Sequence, residues 1–543
     1  MSFQRVILKP VAFLGGLHAS RQVRAFLGAH RQTQAVQESL LRDLVARHRD
    51  TVFGREHGFE HIRTYEDFAA AVPVRNYDGL RPWMNRVYQG DITALLPADE
   101  EVLMFSQTSG TTGEPKYIPV TRQFLASLKR GWNIWGLMAL RDHPKAWLRH
   151  ILQISSSMHE SQSPSGKPCG AISGLLAATQ KKIVRRMYVS PACVAEIRDV
   201  NSKYYTTLRC GLMRDVAFIS TANPSSTIKL IETGQAHADQ LVRDVRDGTL
   251  TPPGDVPAAV RNLRFAPQPT MARRLEQGIS RDGALLPRHF WNLSFLSNWT
   301  GGTIQLYLPR LRELFGDVQV RDIGLLASEG RFSVPIADHT PAGLAEITGN
   351  FLEFMPVEEA GSANPRVVRA HEAQVGQEYF LVVTNWAGLW RYNIDDRVRV
   401  VDRLGESPIF EFLSRGLHTA NITGEKITEH QVVESMRRAC AACGLSVQRF
   451  VLQGRFAQMP YYELRLETGD DATAGKLSQA MDKALAELNI EYHSKRSGGR
   501  LGPIEAKRLE PGTLAQAESA KIAARRGRSE QYKHQYLLTD VIQ

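Results

Sequence analysis

The stretch Ser106-Gln-Thr-Ser-Gly-Thr-Thr-Gly-Glu-Pro-Lys116 constrains this chain more than any other. Four hydroxyls and two glycines fall within six residues, Thr108 to Gly113. Gly adds no side chain, so backbone N–H groups in such a loop can approach a ligand closely, and the hydroxyls supply further donors. Lys116 adds a compact positive charge. This is the composition of a phosphate cradle, although a Ser/Thr/Gly turn also serves as a plain connector. The flanks define a frame: Val102-Leu-Met-Phe105 reads as a short buried strand, and Tyr117-Ile-Pro-Val120 is extended. Thr121 can then cap a helix bearing Phe124, Leu125, Leu128, Trp132 and Trp135. Those aromatics suit either core packing or the wall of a ligand pocket. The G-x-x-x-x-G-K-[ST] pattern of a Walker A loop does not occur.

A chain of 543 residues exceeds what one core usually supports, so about two to four domain-sized units are expected. With 43% hydrophobic and 23% charged residues, wholesale disorder is excluded. The net charge of +11 is localised. Residues 1–50 carry eight basic against three acidic side chains, residues 495–534 carry ten against four, and the remainder is balanced. A neutral body with basic ends is a poor match to a surface that tracks nucleic acid. No window approaches the ~18 apolar residues that cross a bilayer. Lys9-Pro10 interrupts the apolar N-terminus and no A-x-A-type site follows, so no signal peptide is read there. Five irregularly spaced cysteines fit a reducing, cytoplasmic setting. Cys440-Ala-Ala-Cys443 has redox or half-zinc spacing, but it falls in a helical pattern with no second pair nearby, which also suits two small packed thiols.

Strand-like and helical stretches alternate, without internal repeats. Residues 33–50 place Val36, Leu40, Leu41, Leu44 and Val45 on one helical face. Tyr379–Thr384 and Arg397–Val401 read as strands around a polar turn at Asp395-Asp396. Beyond about residue 415 the order changes to a helix (430–443), strands (446–453 and 461–467), a helix (474–489) and a basic tail. The fold class is therefore α/β: a large N-terminal domain, 1–414, with β-sheets flanked by helices, and a smaller α+β C-terminal domain, 415–543. Ser414-Arg-Gly-Leu-His418 would be the hinge.

The loop Thr108–Lys116 resembles the phosphate loop T-S-G-T-T-G-x-P-K of the adenylate-forming superfamily. Its extension to Thr121, with Tyr65-Glu-Asp-Phe68 and Val72-Pro-Val74 upstream, is similar to the GH3 acyl-acid amido synthetases, a family best known in plants with related bacterial chains. Further segments follow in order. Asn298-Trp-Thr-Gly-Gly302 resembles the turn beside the adenine, Leu326-Ala-Ser-Glu-Gly330 resembles A-S-S-E, and Leu389–Asp396 resembles L-Y-R-Y-R-x-G-D. Ile422-Thr-Gly-Glu-Lys426 is similar to the hinge-proximal segment, and Gly502-Pro-Ile504 with Gln531-Tyr-Lys533 resembles C-terminal landmarks.

This resemblance implies an enzyme that binds ATP and Mg2+, activates a carboxylic acid as its acyl-adenylate and transfers the acyl group to an amine or amino acid. It assigns Thr108, Ser109, Gly110, Thr111, Thr112 and Gly113 to the phosphates, with Lys116 near the departing pyrophosphate. Thr300, Gly301, Ala327 and Ser328 fall to the adenine neighbourhood, and Asp396 to the ribose. Glu329 is assigned to the metal; a hard cation needs only one carboxylate beside phosphates and waters. In other settings Glu329 would be a surface residue at a helix start and Asp396 a turn residue. Lys426 and Lys533 would reach the α-phosphate or acyl carboxylate when a mobile small domain closes, or else are solvated lysines. The basic C-terminal segment would then help attract ATP or an acidic acceptor.

The chain departs from the family pattern at Asn393, where Arg is common, at Asp395, where Gly is usual, and at Gln107, in a Ser position. A Gly at 395 would permit a positive φ that Asp tolerates less well. The alternatives are transfer to a thiol, coenzyme A or a carrier protein, or a non-catalytic nucleotide-binding relative. The sequence names neither the acid, whose pocket is expected from 121–230 and 330–340, nor the amine, nor the oligomeric state.

Overall fold

The computed structural model describes residues 20–108, 116–180, 182–301, 307–416, 419–420, 422–423, 425, 427–457, 459–497, 501–524 and 534–542. Helix α1 (Thr33–His48) buries Leu40, Leu41, Leu44 and Val45, the face its periodicity predicts. Helix α2 (Tyr77–Gln89) starts on an Asn76 cap and ends at Gly90, whose φ of 113° lies in the left-handed region. Strands β1 (Val102–Thr108) and β2 (Lys116–Thr121) pair antiparallel, with Thr108 opposite Lys116. The Thr121 hydroxyl then accepts the Phe124 N–H at 3.0 Å and starts helix α3 (Arg122–Asp142), as expected.

Four strands form a parallel sheet in sequential order: β3 (His150–Gln153), β5 (Val216–Ser220), β6 (Phe295–Asn298) and β7 (Gln319–Asp322). Between them come β4 (Pro168–Gly170), which pairs with β1, and helices α4 (Val200–Gly211) and α5 (Pro224–Ala236). Leu208, Leu230, Ile231 and Leu275 form the core between this sheet and its helices. Parallel sheets of this kind bind ligands at the carboxyl ends of their strands. A short hairpin, β8 (Leu326–Ala327) and β9 (Gly330–Arg331), follows β7 there.

The body also contains an antiparallel sheet of seven strands among the described residues. Its centre is β10 (Asn350–Pro356), β11 (Glu378–Asn385), β12 (Leu389–Leu404) and β13 (Ser407–Arg415), over a core that includes Trp390, Phe354 and Leu352. The polar turn expected at Asp395-Asp396 is absent. Both residues lie inside the continuous strand β12, and the chain reverses at Trp386–Gly388. Phe380 faces Arg397 and Val382 faces Asn393, so Ile394 to Asp396 bulge opposite Leu381. Asp395 takes φ 65°, which produces the bulge without ending the strand.

Residues beyond 419 enclose a core of their own, including Ile427, Met436, Tyr462, Leu477 and Leu485. Helices α6 (Glu429–Cys443) and α7 (Asp471–Leu488) cover the sheet of β14 (Phe450–Arg455), β15 (Tyr461–Glu467), β16 (Glu505–Leu509) and β17 (Leu537–Ile542). The strand expected from 446 begins at Phe450. Cys440 and Cys443 sit partly buried on α6 against this core, and burial raises the Cys440 thiol. None of the described helices is long and apolar enough to cross a membrane.

Candidate active site

Lys116 opens β2 at the β1–β2 hairpin, whose connection Ser109 to Gly113 lies outside the described residues, as do Lys426 and Lys533. Of the phosphate candidates, Thr108 is described only as the last backbone position of β1. The Lys116 ammonium stands 3.4 Å from the Tyr392 hydroxyl and 5.6 Å from the centre of the Tyr77 ring. Tyr77 is clamped in turn, because its hydroxyl accepts the Tyr117 N–H at 2.9 Å and donates to the Tyr117 carbonyl at 3.2 Å. Burial raises the Tyr77 pKa, its hydrogen bond to Tyr117 opposes this, and the Glu329 charge adds to the rise. Lys116, Tyr77, Tyr392 and Glu329 therefore form one neighbourhood, drawn from four distant segments.

Glu329 occupies the turn of the β8–β9 hairpin and starts no helix. Its residue is 2% exposed, and its Oε1 is buried without a hydrogen-bond partner among the described residues. An ionised carboxylate in that setting is costly unless a cation completes it. The chain fixes this position firmly. Asn385 donates its Nδ2 to the Glu329 carbonyl at 2.7 Å and to Asn350 Oδ1 at 3.1 Å. A Cβ at Gly330 would stand 2.9 Å from both Asn350 Oδ1 and the Phe332 ring, so the turn closes only around glycine. A hard cation fits one carboxylate of this kind, and no cluster of three or more His, Cys, Asp or Glu ligands occurs among the described residues.

Thr300 follows β6 and is held by Asp322 at the end of β7. Asp322 Oδ2 accepts the Thr300 N–H at 2.5 Å and its hydroxyl at 2.6 Å, while Oδ1 accepts the Gly324 N–H at 2.6 Å. Burial pushes the Asp322 carboxyl up to about 6, against those hydrogen bonds and the Arg331 charge. Gly301 is buried beside Trp299, and Ala327 with Ser328 precedes Glu329 in the same hairpin.

Asp396 is buried in β12 with Arg415 as its cross-strand neighbour, whereas Asp395 is exposed. The positive φ that a family glycine would permit at 395 is present, and Asp adopts it. The Asp395 N–H donates to Asn393 Oδ1 at 2.9 Å, so the two departures from the pattern are bonded to each other. The Asp395 carbonyl accepts the Gly416 N–H at 2.6 Å.

Trp135 is core, its indole N–H donating to the Asp322 carbonyl at 2.8 Å. Trp132 lies 4.2 Å from the buried Arg331 guanidinium, which fits only because residue 131 is glycine: a Cβ there would come 2.6 Å from Arg331 Cδ. A pocket of about 360 Å³ opens at the carboxyl end of β3, lined by Ile154, Met158, Ala177, Tyr188 and Val194 with the buried Lys203. It falls in the region 121–230 expected for the acid.

Sequence reasoning missed Tyr77, Asp322, Asn385 and the buried Arg391–Glu353 pair, at 3.0 Å. Arg391 also donates to the carbonyls of Ala69 and Val72, at 3.1 and 2.9 Å, and Tyr65 donates to Glu353 at 2.8 Å. These bonds tie the segments Tyr65–Phe68 and Val72–Val74 to Glu353 and Arg391. They brace the strand that presents Tyr392 and Asp396. Asp322 had a usable signal, as an acid directly ahead of the uncharged run Ile323–Ala327.

The fold is that of an acyl acid amido synthetase. It superposes on the GH3.15 acyl acid amido synthetase with a TM-score of 0.83 at 20% identity, over 95% of this chain and 94% of that one. A second structure, AtGH3.15 in complex with 2,4-DB, gives 0.81 at 20% identity over 96% and 95%. Residues 22–320 match the GH3 family N-terminal domain, 344–415 the central domain and 430–541 the C-terminal domain. The chain belongs to the GH3 family. It is 27% identical to a probable indole-3-acetic acid-amido synthetase, GH3.2, of Oryza sativa subsp. japonica, over 92% of this chain and 87% of the relative. It is 24% identical to the jasmonoyl-L-amino acid synthetase JAR4 of Nicotiana attenuata, over 88% and 87%.

Proposed function

We propose that this protein is an ATP-dependent amido synthetase that adenylates a carboxylic acid and passes the acyl group to an amino acid. Within a GH3 fold, the observation that carries this reading is Glu329, a fixed, buried carboxylate with an unpartnered oxygen, sharing the Tyr77 neighbourhood with Lys116.

In the first step a carboxylate oxygen of the acid attacks the α-phosphorus of ATP, and the bond to the bridging oxygen breaks to release pyrophosphate. Lys116 would neutralise the departing charge, and the hydroxyls and N–H groups of Ser109–Gly113 would donate to phosphate oxygens. Thr300, Gly301, Ala327 and Ser328 surround the base, and Asp396 accepts from the ribose. Glu329 would hold Mg2+, which offsets phosphate charge when bound. In the second step the amine nitrogen attacks the acyl carbonyl. The C–N bond forms, the C–O bond to phosphate breaks, AMP leaves with the electron pair and the amine proton passes to water. Lys426 and Lys533 are the lysines that a closing small domain, 415–543, would bring to this centre. The pocket beside β3 suits the hydrocarbon part of a small acid. The five unpaired cysteines suit a reducing cytoplasm.

The test is pyrophosphate release by the purified protein over a panel of carboxylic acids with ATP and Mg2+, then mass spectrometry of products made with mixed amino acids. Acid-dependent release and an amide product are expected. No release over a broad panel would refute the reading, and a thioester formed with coenzyme A but no amide would move it to a thiol acceptor.

A further inference from the structure

The pocket of about 360 Å³ beside β3 is not walled by hydrocarbon alone. The segment Met187 to Val189 adds to the edge of β3: Ile151 donates its N–H to the Met187 carbonyl at 2.7 Å, and Val189 donates to the Ile151 carbonyl at 3.0 Å. Side chains alternate along such a segment, so Val189 enters the core of the sheet while Tyr188 lines the pocket. Ser190 follows in the wall, and α4 contributes Lys203 and Thr207, one helical turn apart.

Three hydroxyls of this wall are unused. Ser190 Oγ is buried with no hydrogen-bond partner among the described residues, and the hydroxyls of Tyr188 and Thr207 make no hydrogen bond there either. Thr207 is 2% exposed, and burial alone raises the Tyr188 hydroxyl, which keeps it neutral. Two of the charged groups are already engaged. Glu196 accepts from the Ser157 hydroxyl at 2.7 Å, and Arg185 donates to the Ala178 carbonyl at 2.8 Å. Desolvated hydroxyls cost free energy until a ligand completes them. An apolar pocket with a few polar groups of this kind selects a hydrocarbon that carries an oxygen.

The pocket lies on the same edge of the parallel sheet as the reaction centre. Ile154 follows β3 and donates its N–H to the Ser220 carbonyl at 3.4 Å, at the end of β5. The next residue, Thr221, accepts Asn298 Nδ2 at 2.7 Å, and Asn298 ends β6 two residues before Thr300. Two strand spacings, about 10 Å, separate β3 from β6, a distance that a small aromatic or medium-chain acid spans.

We propose that the acid activated by this protein carries a neutral oxygen, a hydroxyl or keto group remote from its carboxyl, which Tyr188, Ser190 and Thr207 read. The assignment rests on the amido synthetase reading above and narrows its acid to an oxygenated one. Hydroxyls donate and accept, so they suit a neutral oxygen of either kind. An unsubstituted acid leaves them unpaired, and that difference is the source of selection.

Matched acids test this in the full-length protein, with acid-dependent exchange of labelled pyrophosphate into ATP read as kcat/KM. Phenylacetate is compared with its ortho, meta and para hydroxy derivatives, and octanoate with its penultimate keto derivative and with octanedioate. At least one oxygenated acid should exceed its parent by about tenfold or more, as expected when buried hydroxyls gain partners. In the Tyr188→Phe, Thr207→Val double variant, which removes two hydroxyls and little volume, that ratio should fall towards one, and circular dichroism checks folding. Parent acids used as well as every oxygenated partner by the wild type would overturn the proposal. A ratio that survives in the folded double variant would also overturn it, by placing the selection elsewhere. So would a preference for octanedioate over the keto acid, which would assign the pocket to a second charge at Lys203. Absence of exchange with every acid would instead remove the ligase reading, and this assignment with it.

Discussion

The Asp322 carboxylate grips Thr300 twice, through the backbone N–H at 2.5 Å and the hydroxyl at 2.6 Å, and so ties the loop after β6 to the end of β7. Its other oxygen takes the Gly324 N–H, which starts the segment leading to Glu329. One buried side chain therefore sets the spacing between the two loops proposed to enclose the adenine.

Asp322→Asn turns an acceptor of three hydrogen bonds into a group that must present an NH2 to a donor on one side. The KM for ATP should rise by about tenfold, roughly the cost of a lost buried hydrogen bond, with little change in the KM for the acid. The wild-type carboxyl titrates near 6, above the usual 3.8, because burial disfavours its charge, while Arg331, held at about 9, stays cationic through this range. The folded state therefore binds an extra proton between pH 3.8 and about 6, the usual and the raised values for Asp322. The melting temperature of the wild type relative to the Asn variant should rise as pH falls from 7 towards 5, and the wild-type KM for ATP should worsen over the same window.

Glu329→Gln should separate function from stability. Exchange should fall by about 10²-fold or more, the consequence of losing several kcal/mol of charge stabilisation. The melting temperature should hold or increase, because a buried carboxylate with one oxygen lacking a partner among the described residues is removed. Lys116→Ala should depress exchange as well. Wild-type exchange rates in both variants would refute the assigned site.

Breaking the Arg391–Glu353 pair leaves a buried charge alone. Glu353→Ala should destabilise by about 3–5 kcal/mol in urea unfolding. Replacing both members by apolar residues should recover much of that loss, and Tyr65→Phe, which removes one hydrogen bond to Glu353, should cost only about 1 kcal/mol.

Asp395→Gly should leave stability within about 1 kcal/mol of the wild type, because relief at φ 65° offsets the extra freedom of the unfolded glycine. Asp395→Val should destabilise by about 2 kcal/mol, since a β-branched side chain tolerates that conformation poorly. Thermal unfolding with unchanged pyrophosphate release in Asp395→Gly would show that the departure at this position is conformational.

Local physics made much of the molecule legible from the chain. The Thr121 cap, the apolar face of α1, the strands on either side of the Ser109–Pro115 segment and the helix–strand order after residue 415 all follow from interactions a few residues apart. The proposed roles of Lys116, Glu329, Thr300 and Asp396 come from the sequence too, because each belongs to a short recognisable segment. The turn read at Asp395-Asp396 failed for a related reason: two polar residues usually end a strand, and only pairing on both edges with β11 and β13 carries the backbone through. Tertiary structure alone decided which groups meet. Tyr77 reaches Lys116, Asp322 holds Thr300, Asn385 fixes Glu329, and Glu353 neutralises Arg391 across 38 residues. None of these contacts has a local signature, since a buried polar group is satisfied by whatever partner the packed sheets bring to it. The charge of Glu329 is visible in the sequence; that one of its oxygens is buried without a partner follows only from the folded chain.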